Sequence, residues 1–202
     1  LNIEVIDNIV PSKLLLELSK IKFNYTPDRS NNFGVDRFLT CIEYGSYNNV
    51  DNHEIRRDNF QHLKVKNIWD WFKNKTNVSI NNLESCYINA ISFGMESYIH
   101  TDGVDIITCI IYLNSDWHSQ WSGETVFYSG NYTNNYNDIW YYTHDVVKSV
   151  LPRCRRMVVF DGEIPHSVSP LSKKCSALRQ TLMFKLKDVD ISSIKKGLLS
   201  AT

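Results

Sequence analysis

The sequence predicts a mainly β domain with flanking helices: an antiparallel sandwich or barrel, with two N-terminal helices packed on one sheet. Two observations carry this. Apolar stripes at helical spacing are confined to the first 75 or so residues, and from Leu83 onward the chain becomes a series of short β-like runs separated by turns. No helical pattern intervenes between those runs, which excludes the alternating strands and helices of a parallel sheet. With 202 residues, 43% of them hydrophobic, the chain can bury a full core, and no linker or repeat divides it. We therefore read residues 1–202 as a single domain, with helical and loop support over 1–82, a β core over 83–187 and a C-terminal tail over 188–202.

Leu1 to Ile9 reads as an edge strand, and Pro11 then opens a helix at the position where its missing N–H costs nothing. Leu14, Leu15, Leu18 and Ile21 form that helix's apolar stripe. Residues 24–58 are polar and irregular, with one β-like run at Arg37–Tyr44, and read as a functional loop or lid. A second helix is expected from about Phe60 to Lys75, burying Leu63, Ile68, Trp69 and Phe72. The expected strands are Ser85–Phe93, Ser97–His100, Ile106–Leu113, Glu124–Tyr128, Lys148–Leu151, Arg156–Phe160, His166–Val168 and Arg179–Leu186. Ile106–Leu113 is nearly all apolar, as a strand covered on both faces would be. The Asn- and Tyr-rich segment Ser129–Asp145 reads as an inserted loop at the barrel rim.

Charge narrows the function classes. The 22 basic and 22 acidic residues cancel, so the electrostatic footprint of a nucleic-acid binder is missing. No run of 18 apolar residues points to a membrane span. Five scattered cysteines, never in Cys-x-x-Cys spacing, argue against a disulfide framework or zinc ribbon and for a reducing, cytoplasmic setting.

The chemistry centres on His100-Thr101-Asp102. In an extended backbone, side chains two residues apart share a face, so His100 and Asp102 can grip one metal together. Composition alone yields about 0.4 such His-x-Asp pairs, so the pair needs support from elsewhere in the chain. Of the other histidines, His53 and His62 precede the barrel, His118 lies in a turn, and His144 lies in the insertion. His166 differs from these: it follows the buried-strand signature Val158-Val159-Phe160, the turn Asp161-Gly162 and Pro165, and opens the next strand. Two histidines and a carboxylate on strand ends make a facial triad with three open positions, suited to non-haem Fe(II). Arg179 opens a strand in which residues 179, 181, 183 and 185 share a face, and an inward-pointing Arg calls for an anion, such as a ligand carboxylate held bidentately. Tyr112 could offer a hydroxyl to the same carboxylate.

The ordered set His100-Thr101-Asp102, Ile107–Trp117 (containing Tyr112-Leu113-Asn114), Gly123-Glu124-Thr125, Pro165-His166 and Arg179 resembles the prolyl 4-hydroxylase branch of the Fe(II)- and 2-oxoglutarate-dependent dioxygenases, over roughly residues 85–187. The resemblance implies a double-stranded β-helix, or jelly roll, with helices bracing one sheet. It implies that His100, Asp102 and His166 are iron ligands, that Arg179 binds the distal carboxylate of 2-oxoglutarate, that Tyr112 bonds the same carboxylate, and that Thr181 lines the cosubstrate pocket. It also implies O₂ as oxidant, ascorbate as a candidate reductant, and a protein or peptide substrate hydroxylated at a residue such as proline, with 2-oxoglutarate converted to succinate and CO₂.

The chain also departs from that pattern. His166 and Arg179 are 13 residues apart, a longer turn than in the oxygen-sensing members. Lys185 replaces an aromatic residue of those members; it either reaches the cosubstrate or, the preferred reading, extends to solvent. A tyrosine those members carry upstream of the His-x-Asp pair has no clean match, with Tyr87 and Asn89 both nearby. Glu124 reads as structural, and Trp117 and Trp121 as packing at the barrel end. Two rival readings are an oxygenase of a nucleobase or free small molecule, and a jelly-roll binding module without turnover.

Overall fold

A computed structural model of the chain describes residues 1–18, 22, 26–28, 38–48, 54–57, 59–95, 97–129 and 145–200. Eight strands form one large sheet: β1 (Ile3–Ile6), β2 (Thr26–Asp28), β3 (Phe38–Asn48), β4 (Glu54–Arg57), β5 (Leu83–Ile91), β6 (Ile106–Tyr112), β9 (Met157–Asp161) and β11 (Arg179–Lys187). They are ordered β1-β9-β6-β11-β5-β3-β2, with β4 paired to β3. The opposing small sheet is β10-β7-β8, from β7 (Thr125–Tyr128), β8 (Val146–Val150) and β10 (His166–Val168). Every named pairing is antiparallel. Three helices complete the fold: α1 (Ser12–Leu18), α2 (Leu63–Thr76) and α3 (Ile191–Leu199). The expected class, mainly β with helices on one sheet, is what the chain adopts.

Strand alternation divides the large sheet into two chemically distinct faces. On β11, Leu182, Phe184 and Leu186 point toward the helices, where they meet Trp69 and Phe72 of α2 and Ile194 and Leu198 of α3 in the main apolar cluster. The odd-numbered residues point inward; Met183 packs there with Tyr87, Ile110, Tyr112, Phe127, Val158 and Phe160. β6 is nearly all apolar because both of its sides are covered, as its sequence implied, with Thr108 the one polar residue in it.

Several expectations change. Leu63 is exposed (71%), and Val65 takes its place, because the stripe of α2 runs Val65, Ile68, Trp69, Phe72, Thr76 and Leu63 falls off it. His62 is the N-cap of α2 rather than part of it. The 24–58 region is not simply a loop: β2, β3 and β4 extend the large sheet there. Ser97–His100 forms no strand; His100 alone makes a bridge to His166, where the chain crosses from β5 toward β6. The 188–202 tail contains α3, capped by the Asp190 side chain accepting from the Ser193 N–H. Residues 130–144, including His144, and also His53, lie outside the described residues. Backbone pairing of Ser129 with Asp145 (2.9 Å) closes the base of that insertion. Among the described residues, no helix is long and apolar enough to cross a membrane.

Candidate metal and cosubstrate centre

His100, Asp102 and His166 converge: one ligand atom from each lies within 4.8 Å of the others. The backbone builds this convergence. His100 and His166 exchange N–H···O bonds of 3.0 and 2.9 Å, which sets their rings 4.4 Å apart. The Asp102 N–H donates to Gly162 O (2.7 Å), tying the His-x-Asp turn to the turn before His166. Nδ1 of His100 contacts Tyr98 O, and Nδ1 of His166 contacts Ile164 O, each at 2.9 Å. A carbonyl only accepts, so both Nδ1 atoms carry hydrogen, which leaves the Nε2 lone pairs for a cation. Phe160 stands edge-on to His166 at 4.8 Å and forms a dry wall.

The Asp102 side chain is 2% exposed and firmly held. Thr108 donates to its Oδ2 at 2.6 Å, His166 Nε2 lies 3.6 Å from Oδ2, and Lys185 Nζ lies 2.9 Å from Oδ1. Burial pushes this carboxyl up, but Lys185, the two histidines and the Thr108 hydroxyl together hold it well below the usual carboxylate range. Lys185 therefore does not extend to solvent. Its ammonium is drawn inward to Asp102 and lies 5.7 Å from the Tyr87 ring centroid.

The second feature is Arg179, 2% exposed. Its Nε donates to Gly123 O (2.6 Å) and its Nη2 to Thr125 Oγ1 (2.9 Å). Because an Arg only donates, the order continues in one direction: the Thr125 hydroxyl to Tyr112 Oη (2.7 Å), and Tyr112 Oη to Val150 O (3.2 Å). The Tyr112 ring also lies beneath the guanidinium at 5.2 Å. Among the described residues no carboxylate forms an ion pair with Arg179. Burial lowers its pKa, and Tyr112 and the Glu124 charge only partly offset this. Thr181, also buried, is the register partner of both Tyr112 and Asn89 on the same inward face.

The residues singled out from sequence thus fall into two groups inside one barrel. β7 links them: Phe127 pairs with His166 and Thr125 with Val168. Thr125 is therefore two residues, roughly 7 Å, along the strand from the metal-side pair. The sequence reading missed the roles of Thr125 and Thr108. Thr125 sits in the Gly-Glu-Thr motif, where the glutamate drew attention, and only the fold shows that the threonine faces inward. Trp117 and Trp121 meet edge-on at 5.3 Å and pack on Leu171 at the barrel end, as expected. Asn89 donates to Met183 Sδ and accepts from Thr40, away from the triad's own contacts.

Gly123 is fitted closely to Arg179. Its φ is +79°, and an added Cβ would meet Leu171 at 2.6 Å, Trp117 at 3.1 Å and the Arg179 Cδ at 3.2 Å. Gly123→Ala is expected to destabilise the fold by about 1–3 kcal/mol and to displace the guanidinium. Urea unfolding together with a ligand titration would check both effects.

A second cluster, Cys41, Glu43 and His62, also has metal-ligating types. Its atoms already serve one another: Glu43 accepts from the His62 N–H (3.0 Å), from its Nδ1 (2.8 Å) and from the Cys41 thiol (3.7 Å). The His62 side chain makes no cap bond to α2, so this buried carboxylate supplies the negative charge at the helix N-terminus.

The fold is a jelly-roll-like barrel with an inward His–Asp–His cluster that could hold a metal ion and a buried guanidinium beyond it. Residues 86–183 match the model of the 2OG-Fe(II) oxygenase superfamily. That match spans just under half of the chain and takes in the His–Asp–His cluster and Arg179, and the fold as a whole is prolyl hydroxylase-like. Similar solved structures include a prolyl hydroxylase from Trichoplax adhaerens in complex with a hypoxia-inducible factor oxygen degradation domain peptide fragment. It has 17% identity and TM-score 0.54, covering 99% of this chain and 87% of that one. A Pseudomonas putida prolyl-4-hydroxylase has 14% identity and TM-score 0.53, covering 92% of each chain. A 2OG-Fe(II) oxygenase family oxidoreductase from Burkholderia pseudomallei has 11% identity and TM-score 0.58, covering 91% of this chain and 84% of that one. No curated protein matches in sequence. The family is one of Fe(II) dioxygenases that use 2-oxoglutarate and O₂, and this chain has a donor set that fits such an iron.

Proposed function

We propose that the protein couples oxidative decarboxylation of 2-oxoglutarate to hydroxylation of a peptidyl substrate, with proline as the first candidate residue. The observation that carries the cosubstrate reading is Arg179: a buried guanidinium that forms no ion pair with a carboxylate among the described residues, set along the barrel from the His–Asp–His cluster. His100, Asp102 and His166 would hold Fe(II) through two neutral imidazoles and one carboxylate. When bound, that iron supplies the oxygen chemistry. The chain's own residues bind, orient and exclude water. Arg179 takes the distal carboxylate of a five-carbon diacid by a charge-assisted bond. Thr125 and Tyr112 fix the plane of the guanidinium, Thr181 lines the same wall, and Phe127 and Phe160 keep the His166 side dry.

The peptide substrate is supported by the likeness of the fold to prolyl hydroxylases, one of them bound to a peptide. Five free cysteines fit work in a reducing compartment such as the cytoplasm. The decisive assay supplies Fe(II), 2-oxoglutarate, O₂ and ascorbate as reductant with a panel of proline-containing peptides. Succinate release matched to O₂ uptake and a +16 Da peptide product are expected, with at least a ~10³-fold loss in His100→Ala, the scale of losing a group the chemistry depends on. An iron-loaded protein that neither binds 2-oxoglutarate nor releases succinate would sink the reading. Hydroxylation of free metabolites or nucleobases instead of peptides would reassign the substrate alone.

A further inference from the structure

Lys185 stands outside the ligand set and outside the Arg179 anchor, yet it is the only cation among the described residues that is ion-paired to a member of the His–Asp–His cluster. Its placement is set by register. Lys185 of β11 pairs directly with Thr108 of β6, so both side chains rise from the same inward face of adjacent strands. Each grips a different oxygen of one carboxylate: Thr108 donates to Oδ2 at 2.6 Å, and Lys185 lies 2.9 Å from Oδ1. Oδ2 is also the oxygen facing His166 Nε2, at 3.6 Å, whereas the ammonium covers Oδ1 and lies beside the Tyr87 ring of β5.

We propose that Lys185 is a positioning residue that keeps Asp102 a one-oxygen ligand. The inference rests on the functional reading above. A carboxylate with both oxygens free can chelate one cation through the pair and occupy two coordination positions. Here, chelation through Oδ1 would require breaking a buried ion pair, so a bound metal would be offered Oδ2 alone. Three protein atoms would then leave three positions of an octahedral ion open, the number that a chelating 2-oxo acid plus O₂ would need. Thr108 sets the orientation of the carboxylate, and Lys185 sets how many of its atoms are offered.

The test uses the full chain loaded anaerobically with Co(II), whose visible ligand-field spectrum reports coordination number without any turnover. Lys185→Met keeps the length and removes the charge, Lys185→Arg keeps the charge, and Lys185→Gln is the neutral alternative should the Met variant fail to fold. Wild type and Lys185→Arg are expected to share one spectrum and to bind 2-oxoglutarate within about threefold of each other by calorimetry. Lys185→Met or Lys185→Gln should still take up one Co(II), show weaker, higher-coordinate ligand-field bands before ligand is added, and bind 2-oxoglutarate at least tenfold more weakly. A neutral variant with unchanged spectrum and unchanged 2-oxoglutarate affinity overturns the proposal, and so does an Arg variant that fails to restore both. Should wild-type Co(II) protein bind no 2-oxoglutarate, the functional reading fails, while the spectral comparison still decides the role of Lys185.

Discussion

Replacing Arg179 by Leu should weaken 2-oxoglutarate binding by about 10²–10³-fold while leaving the unliganded fold intact or slightly more stable. The two halves of this expectation come from the same observation. Arg179 is buried and donates to Gly123 O and Thr125 Oγ1, but no carboxylate among the described residues pairs with it. Without ligand, its charge is a desolvation cost that an apolar side chain does not carry. With ligand, truncating one member of a buried charge pair costs about 2–5 kcal/mol, and each 1.4 kcal/mol is tenfold in affinity. Thermal shift measures both effects together. At a ligand concentration of 100 Kd, the wild type should gain about 2.7 kcal/mol from 2-oxoglutarate, and the variant almost none. Arg179→Lys should fall between them, because an ammonium keeps the charge and loses the fork. Equal affinities in wild type and Arg179→Leu would show that the diacid is anchored elsewhere.

The sequence made the metal end of this centre more legible than its surroundings, and the reason is locality. His100 and Asp102 lie two residues apart, and His166 opens a strand after a recognisable turn, so their candidacy as ligands follows from short-range pattern. Thr108 and Lys185 could not be read in this way. They meet Asp102 only because β6 and β11 are neighbours in a particular register, a long-range fact. The same holds for Thr125, whose value lies in standing between Arg179 and Tyr112, residues far from each other in the chain. Reading Lys185 as solvated failed because a long cationic side chain is ordinarily solvated; the Asp102 carboxylate draws it inward. Among the fold elements, α3 escaped notice because Ile191, Ile194 and Leu198 give too short a stripe to stand apart from a tail. It is secured by burial against the sheet and by the Asp190 cap.

β11 offers the sharpest separation of fold from function, since its two faces divide the tasks. Phe184 is fully buried on the helix side, edge-on to Trp69 at 5.4 Å and tilted against Phe72 at 5.3 Å. Arg179, Thr181 and Lys185 project from the other side of the same strand. Phe184→Ala should therefore cost about 3–5 kcal/mol through lost burial and a residual cavity. For a chain of this length, that lowers the melting temperature by roughly 6–20 °C. The strand itself is held by ladders to β5 and β6 on both sides, so at low temperature the folded variant should keep its 2-oxoglutarate affinity within about threefold, as weakly coupled sites do. Thermal unfolding and calorimetric titration of the same preparation provide both numbers. A stability change under 1 kcal/mol would contradict the packing of Phe184. A folded variant with its 2-oxoglutarate affinity destroyed would show that the two faces of β11 are coupled, and that the helices brace the site's geometry as well as its stability.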